Sequence, residues 1–301
     1  MKKDFLRVFS LSSEEIGGLL QRASELKLTN DLSYSPLLGR TFGLIFEKAS
    51  TRTRVSFEVG INQFWGKSIY LNPKDIQLSR GESIADTARV LSRYLDGVVL
   101  RTFAHSTVEE FAHYAAIPVI NGLTDLHHPC QAIADLLTIF EKKGKFSVKL
   151  AYVGDGNNVA HSLVEAAARV SMDIILACPE GHEPYYEIIQ GARKETGSRI
   201  EVVRDPKDAV RDADVVYTDV WVSMGQEATR QERLGLFKDY QVNERLLQFA
   251  RSDAIVMHCL PAHREEEITS PVMDGPQSVV FDQAENRLHT QKALIEILIH
   301  G

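Results

Sequence analysis

Short uninterrupted apolar runs, each followed by a stretch of helical periodicity, recur along this chain. In the first half the runs are Thr41 to Phe46, Ser68 to Leu71, Gly97 to Leu100 and Pro118 to Ile120. In the second they are Val148 to Val153, Ile174 to Ala177, Ile200 to Val203, Val215 to Thr218, Ala254 to Met257 and Val279 to Phe281. A strand with one wet face alternates apolar and polar residues, whereas a strand covered by helices on both faces need not. The pattern therefore predicts an α/β fold of doubly wound parallel sheets.

Ser12-Ser13-Glu14-Glu15 has the spacing of a capping box, and Ile16, Leu19, Leu20, Ala23 and Leu26 follow on one helical face, so the chain opens with a helix. A long helical pattern from His128 to Lys143 stops at Gly144-Lys145, and the second strand series begins just after it. That predicts a first domain over 1–143 and a second over 144–284, joined by helices, with the last helix in 285–301 packing back on the first. With 301 residues, 44% of them hydrophobic, each domain can bury its own core.

Charge and cysteine content exclude several classes of function. The formal net charge is −7, from 34 Lys+Arg against 41 Asp+Glu, and no basic tail or Lys/Arg run offers a surface to nucleic acid. No apolar stretch is long enough to span a bilayer, and Met1-Lys2-Lys3-Asp4-Phe5 lacks the apolar run of a secretory signal, so a cytoplasmic protein is expected. The three cysteines include no C-x-x-C pair and read as reduced thiols.

In doubly wound sheets ligands bind beyond the carboxyl ends of the strands, so the residues just after each run carry the chemistry. After Phe46 the chain reads Glu47-Lys48-Ala49-Ser50-Thr51-Arg52-Thr53-Arg54 and turns into a helix. Helix N-terminal amides, hydroxyls and a guanidinium together cradle an anion, although in isolation Ser50 would pass as an N-cap with solvated arginines beside it. Arg101-Thr102 ends another run, and His127-His128-Pro129-Cys130-Gln131 opens the helix after a third. Pro129 suits a first helical turn, which leaves His128 at its mouth.

The second series ends its strands differently. Gly154-Asp155-Gly156-Asn157-Asn158-Val159 matches G-x-G-x-x-G only in part, with Val159 at the third glycine, and the next strand runs into Cys178-Pro179 with no acidic ribose ligand. That argues against a nicotinamide dinucleotide and for a small polar ligand. Val215 to Thr218 runs into Asp219-Val220-Trp221-Val222-Ser223-Met224-Gly225, placing a carboxylate where a cationic amine would need one, or where it merely caps a loop. The segment His258-Cys259-Leu260-Pro261-Ala262-His263 holds metal-ligand residue types, but no second ligand pair is spaced for zinc, so no metal is expected.

The order S-T-R-T-R, then H-P-C-Q, then H-C-L-P across nearly the whole chain resembles the aspartate/ornithine carbamoyltransferase family. The resemblance implies that Ser50, Thr51, Arg52 and Thr53 hold the phosphate of carbamoyl phosphate. Arg101, His128 and Gln131, in a box shared with Pro129 and Cys130, would contact its carbamoyl part. Arg101 and His128 would act as oxyanion donors, a role typically worth a few kcal/mol. By the same resemblance Gln77 reaches a neighbouring subunit's site, which implies a homotrimer or a multiple of trimers, and Arg287 completes the carbamoyl phosphate site. Ornithine's α-groups would meet Asn158, with Asn157 the nearby alternative, and Asp219 and Cys259 would flank its side-chain amine. Cys259 and Leu260 would also touch the carbamoyl group. Ser223-Met224-Gly225 matches the ornithine-specific branch, and aspartate-specific relatives carry a proline in place of Cys259. The single local departure is Ala49, at a position that varies in the family.

The reaction implied by the resemblance is carbamoyl transfer to ornithine, giving citrulline and phosphate. No cofactor is expected, because the leaving group is already activated and positioning with charge stabilisation is what remains for the protein. A transferase for another amine, such as putrescine or an acylated ornithine, and a non-catalytic binding protein on the same fold are the alternatives.

Overall fold

The computed structural model describes residues 3–29, 31, 33–72, 74–77, 81–222, 228 and 230–300. The chain forms two compact units, one of Met1–Leu137 with Glu285–Gly301 and the other of Thr138–Ala284.

After a 3-10 turn at Val8–Ser10, the first unit runs α1 (Ser13–Thr29), β1 (Thr41–Phe46), α2 (Thr51–Gln63), β2 (Lys67–Leu71), α3 (Ile84–Leu91), β3 (Gly97–Arg101), α4 (His105–Tyr114), β4 (Val119–Leu123) and the start of α5 (Pro129–Lys143), whose last turns belong to the second unit. The capping box forms: Ser12 N–H donates to Glu15 Oε2 at 2.8 Å and Glu15 N–H to Ser12 Oγ at 3.2 Å. The residues α1 buries are the expected stripe, Ile16, Leu19, Leu20, Ala23 and Leu26. The sheet is parallel, in the order β2-β1-β3-β4. At the β4 edge, Phe5 N–H donates to Val119 O and Asn121 N–H to Phe5 O, which covers part of that strand's free backbone. Val98, Val99 and Leu100 of β3 are buried with no alternation, as a strand covered on both faces requires, and each contributes about 1.5–3 kcal/mol of apolar burial.

The second unit runs β5 (Lys149–Val153), α6 (Asn158–Arg169), β6 (Asp173–Ala177), α7 (Tyr186–Glu195), β7 (Ile200–Val203), α8 (Pro206–Val210), β8 (Val215–Thr218), α9 (Arg230–Phe237), α10 (Glu244–Leu247), β9 (Ile255–His258) and α11 (Ser270–Met273). The last helix, α12 (Val280–His300), starts in this unit and continues in the first. The sheet is again parallel, in the order β7-β6-β5-β8-β9. Its core includes Ala151, Val153, Val216, Trp221, Phe237 and Val256.

The structure departs from the expected strands at one place. Val279 to Phe281 is not a strand but the entry to α12, and sheet pairing there shrinks to an isolated bridge between Ser278 and Val256. The apolar run is too short to hold a ladder. Val279 N–H still reaches Val256 O at 3.0 Å, but Val279 O then accepts Gln283 N–H at 2.9 Å, and helical bonding takes over.

Each sheet order reverses at one place, between β1 and β3 in the first unit and between β5 and β8 in the second. These are the topological switch points where open parallel sheets bind ligands. Register sets the strand ends level: Phe46 pairs with Arg101, Val153 with Thr218 and Thr218 with His258.

Candidate functional site

In the first unit the switch point gathers the S-T-R-T segment and Arg101. Ser50 is the N-cap of α2, its Oγ accepting Thr53 N–H at 3.2 Å, so the capping reading holds, and the hydroxyl that accepts from the helix keeps its own proton to donate. Thr51 is exposed, Arg52 is partly buried and Thr53 is buried. Arg101 is buried at the end of β3, and its carbonyl accepts Glu47 N–H at 2.8 Å.

Pro129 is the first residue of α5, which leaves His128 at the helix mouth, as read from the sequence. Burial, followed by the charges of Arg287, Arg101 and Arg52, holds the His128 imidazole well below the ordinary histidine pKa. His128 is therefore neutral at pH 7 and offers one ring N–H, the form an oxygen acceptor requires. Cys130 Sγ is 3.4 Å from Asn121 O, and burial pushes its thiol up to about 12, so it is not a nucleophile. Gln131 donates to Asp135 Oδ1 at 2.8 Å and accepts from Arg287 Nη1 at 2.7 Å. Arg287 also donates to Thr53 Oγ1 at 3.1 Å. Arg52, Arg101 and Arg287 thus all bring positive charge to bear on His128, a neutral donor at a helix N-terminus. Gln77 is exposed on the loop after β2, where its carbonyl accepts Glu82 N–H.

In the second unit β8 lies between β5 and β9, so Asp219 has the β5 turn on one side and the β9 loop on the other. Asn157 Nδ2 donates to Asp219 Oδ2 at 2.7 Å, and Cys259 Sγ donates to Asp219 Oδ1 at 3.0 Å. Asn157 is also the N-cap of α6, its Oδ1 accepting Val159 and Ala160 N–H. Asn158 is the first residue of that helix and is half-buried. Ser223 and Met224 lie outside the described residues. Asp219 is buried, and both its oxygens meet donors, which offsets the cost of taking a carboxyl group out of water.

Among the described residues, ligand atoms of Asp219, His258 and Cys259 fall within 4.8 Å of one another. Both ring nitrogens of His258 are already committed, Nδ1 to Leu260 N–H at 2.9 Å and Nε2 to Glu267 Oε1 at 3.0 Å. That leaves no imidazole lone pair for a metal between Asp219 and Cys259. Two residues with no role legible in sequence also bear on these sites: Asp135, which holds Gln131, and Glu267. Glu267 sits in the run Glu265-Glu266-Glu267, which reads as a solvated charge cluster, and no sequence signal marks its third member as fully buried.

Comparison with known proteins agrees with this geometry. Residues 3–141 match the family model for the aspartate/ornithine carbamoyltransferase carbamoyl-P binding domain, and residues 147–298 match that for the Asp/Orn binding domain. An ornithine carbamoyltransferase of Syntrophus aciditrophicus is 55% identical over 99% of this chain and 100% of its own length. That of Bacillus subtilis is 54% identical over 99% of this chain and 94% of its own. The solved ornithine carbamoyltransferase of Pyrococcus furiosus superposes with a TM-score of 0.96 at 51% identity, covering 100% of this chain and 98% of that one. With both units matched over nearly their full lengths, this chain belongs to the aspartate/ornithine carbamoyltransferase family.

Proposed function

We propose that the chain transfers the carbamoyl group of carbamoyl phosphate to the side-chain amine of L-ornithine, giving L-citrulline and phosphate. The observation that carries the substrate choice is Asp219, a buried carboxylate fixed between an amide and a thiol at the second unit's switch point. It is an acceptor for a cationic amine and would repel the carboxylates of aspartate. The relatives' names support the same choice.

In this reading Ser50, Thr51, Arg52 and Thr53 take the phosphate, with Gln77 supplied by a neighbouring subunit. Arg101 and neutral His128 donate to the carbamoyl oxygen as charge builds on it, Gln131 contacts the carbamoyl group, and Arg287 completes the pocket. Pro129 and Cys130 shape the wall. Asn158 takes ornithine's α-groups with Ser223 and Met224, while Asp219 and Cys259 flank the amine and Cys259 and Leu260 touch the carbamoyl group. A lysine-like amine has a reference pKa near 10.4 and must lose a proton before attack. Cys259, Asp219 and the departing phosphate are the acceptors within the scheme.

The activity belongs to arginine biosynthesis, or in reverse to arginine breakdown, in the cytoplasm, with the chain as a homotrimer or a multiple of trimers. Apolar exposure on the edge strand supports assembly: Ile69 on β2 is 47% exposed.

The deciding experiment is citrulline formation from carbamoyl phosphate and ornithine, run beside aspartate, putrescine and acetylornithine. Turnover with ornithine alone is expected. Turnover with another amine would overturn the Asp219 assignment while keeping the anion site, and none with any amine would leave a binding protein.

A further inference from the structure

Behind the Cys259 loop lies a buried hydrogen-bonded chain to which the mechanism gives no role. His258 and Glu267 are both fully buried. Leu260 N–H donates to His258 Nδ1 at 2.9 Å, so that nitrogen carries no proton. The ring proton then sits on Nε2, 3.0 Å from Glu267 Oε1, and is donated to it. The same carboxylate oxygen accepts His263 N–H at 2.6 Å, which closes the turn from 258 to 263. Within that turn Leu260 has φ of 60°, a left-handed conformation that a leucine holds only where its surroundings over-determine it. The residue before it, Cys259, meets Asp219.

We infer that Glu267 is a positioning residue: by fixing which nitrogen of His258 is protonated, it fixes the bond to Leu260 N–H and with it the turn that presents Cys259 to Asp219. With the proton on Nδ1, His258 would face Leu260 donor to donor and the turn would open. The effect on turnover rests on the carbamoyl-transfer reading, whereas the effect on the Cys259 thiol does not.

The test compares Glu267→Ala and Glu267→Gln in kcat, in KM for each substrate and in the rate at which iodoacetamide alkylates Cys259. Cys130 and Cys178 are buried, so Cys259 is the thiol the reagent reads. The alanine variant is expected to lose about 100-fold in kcat, more than it changes in either KM, as a misplacement of roughly an ångström does. Its Cys259 alkylation rate should change by about tenfold or more. Glutamine should restore most of both, because its carbonyl still accepts from His258 and His263. Its amide would lie near His263 Nδ1 and Glu266 Oε2, neither of which has a hydrogen-bond partner among the described residues. Wild-type kcat and alkylation in the folded alanine variant overturn the inference, and so does a glutamine variant as impaired as alanine. If the alanine variant does not fold, histidine-labelled wild-type protein decides by ¹⁵N NMR. The ring signal displaced by Glu267→Gln must be an Nε2–H tautomer, and an Nδ1–H or doubly protonated ring overturns the inference. If wild type is inactive with every amine while thiol reactivity follows the expected pattern, the positioning role stands and the carbamoyl-transfer reading falls.

Discussion

Arg287 donates through Nη2 to Thr53 Oγ1 at 3.1 Å, although the two residues lie 234 positions apart in sequence. Its other terminal nitrogen holds Gln131. One guanidinium from α12 therefore joins the helix of the S-T-R-T segment to the H-P-C-Q helix, which gives the C-terminal segment a reason to belong to the first unit.

Arg287→Lys separates charge from geometry. A lysine keeps the cation but cannot fork to both partners. Losing charge-assisted bonds worth about 1.5–3 kcal/mol should raise KM for carbamoyl phosphate roughly 10- to 100-fold while leaving KM for ornithine nearly unchanged. Steady-state kinetics with each substrate varied in turn reads this directly. An unchanged carbamoyl phosphate KM would make Arg287 a structural strut only.

His128 should make the protein acid-sensitive. Its folded pKa lies well below 6.5, mainly through burial and then through the arginines, whereas in the unfolded chain it titrates near that value. Below about pH 6.5 the unfolded state then binds the extra proton, so stability falls with falling pH by up to about 1.4 kcal/mol per pH unit until the folded pKa is reached. Urea unfolding of wild type and His128→Asn between pH 8 and 5 should show the two curves diverging as pH falls below about 6.5, with wild type steeper. Parallel curves would mean that His128 is solvated in the native protein.

The fold was legible because its signal is dense and local. Unbroken apolar runs such as Val98-Val99-Leu100 declare two covered faces, and the Ser12/Glu15 box declares a helix start. The miss at Val279 to Phe281 came where a three-residue run was too short for composition to separate strand from helix entry. The strand-end residues were equally readable, since parallel topology sends chemistry to those positions. What the sequence hid were pairings set by tertiary contact: Arg287 with Thr53, Asp135 with Gln131, and the buried end of an acidic run in Glu267.

Gly156 shows how a motif can mislead. The second glycine of a dinucleotide fingerprint lets the backbone approach a pyrophosphate, but here a Cβ would lie 2.2 Å from Pro184 N and 2.4 Å from Glu183 C, both backbone atoms. The glycine makes room for the loop after β6. Gly156→Ala should therefore destabilise the fold by about 1–3 kcal/mol, as overpacking does, whether or not ligand is present. Thermal unfolding with and without ornithine checks it, and a stability equal to wild type would return the glycine to ligand binding.

Asn157→Asp tests whether Asp219 must be held by a neutral partner. Aspartate caps a helix as well as asparagine does, so the bonds to Val159 and Ala160 N–H survive and the start of α6 keeps its cap. The other oxygen, however, would replace an amide that sits 2.7 Å from Asp219 Oδ2. Two carboxylates that close cannot both ionise, and the pair must share a proton whose apparent pKa rises above the ordinary aspartate value near 3.9. At neutral pH Asp219 then loses part of its anionic character or is pushed off its position. Either way kcat/KM for ornithine should fall roughly tenfold to a hundredfold, a loss of about 1.4–2.7 kcal/mol in transition-state stabilisation. Asn157→Ser supplies the contrast, since it keeps a capping oxygen without adding charge. It should lose the hold on Asp219 without adding an acidic step to the pH–rate profile, whereas the aspartate variant adds one. If both variants follow the wild-type profile, the amine is recognised elsewhere than at Asp219.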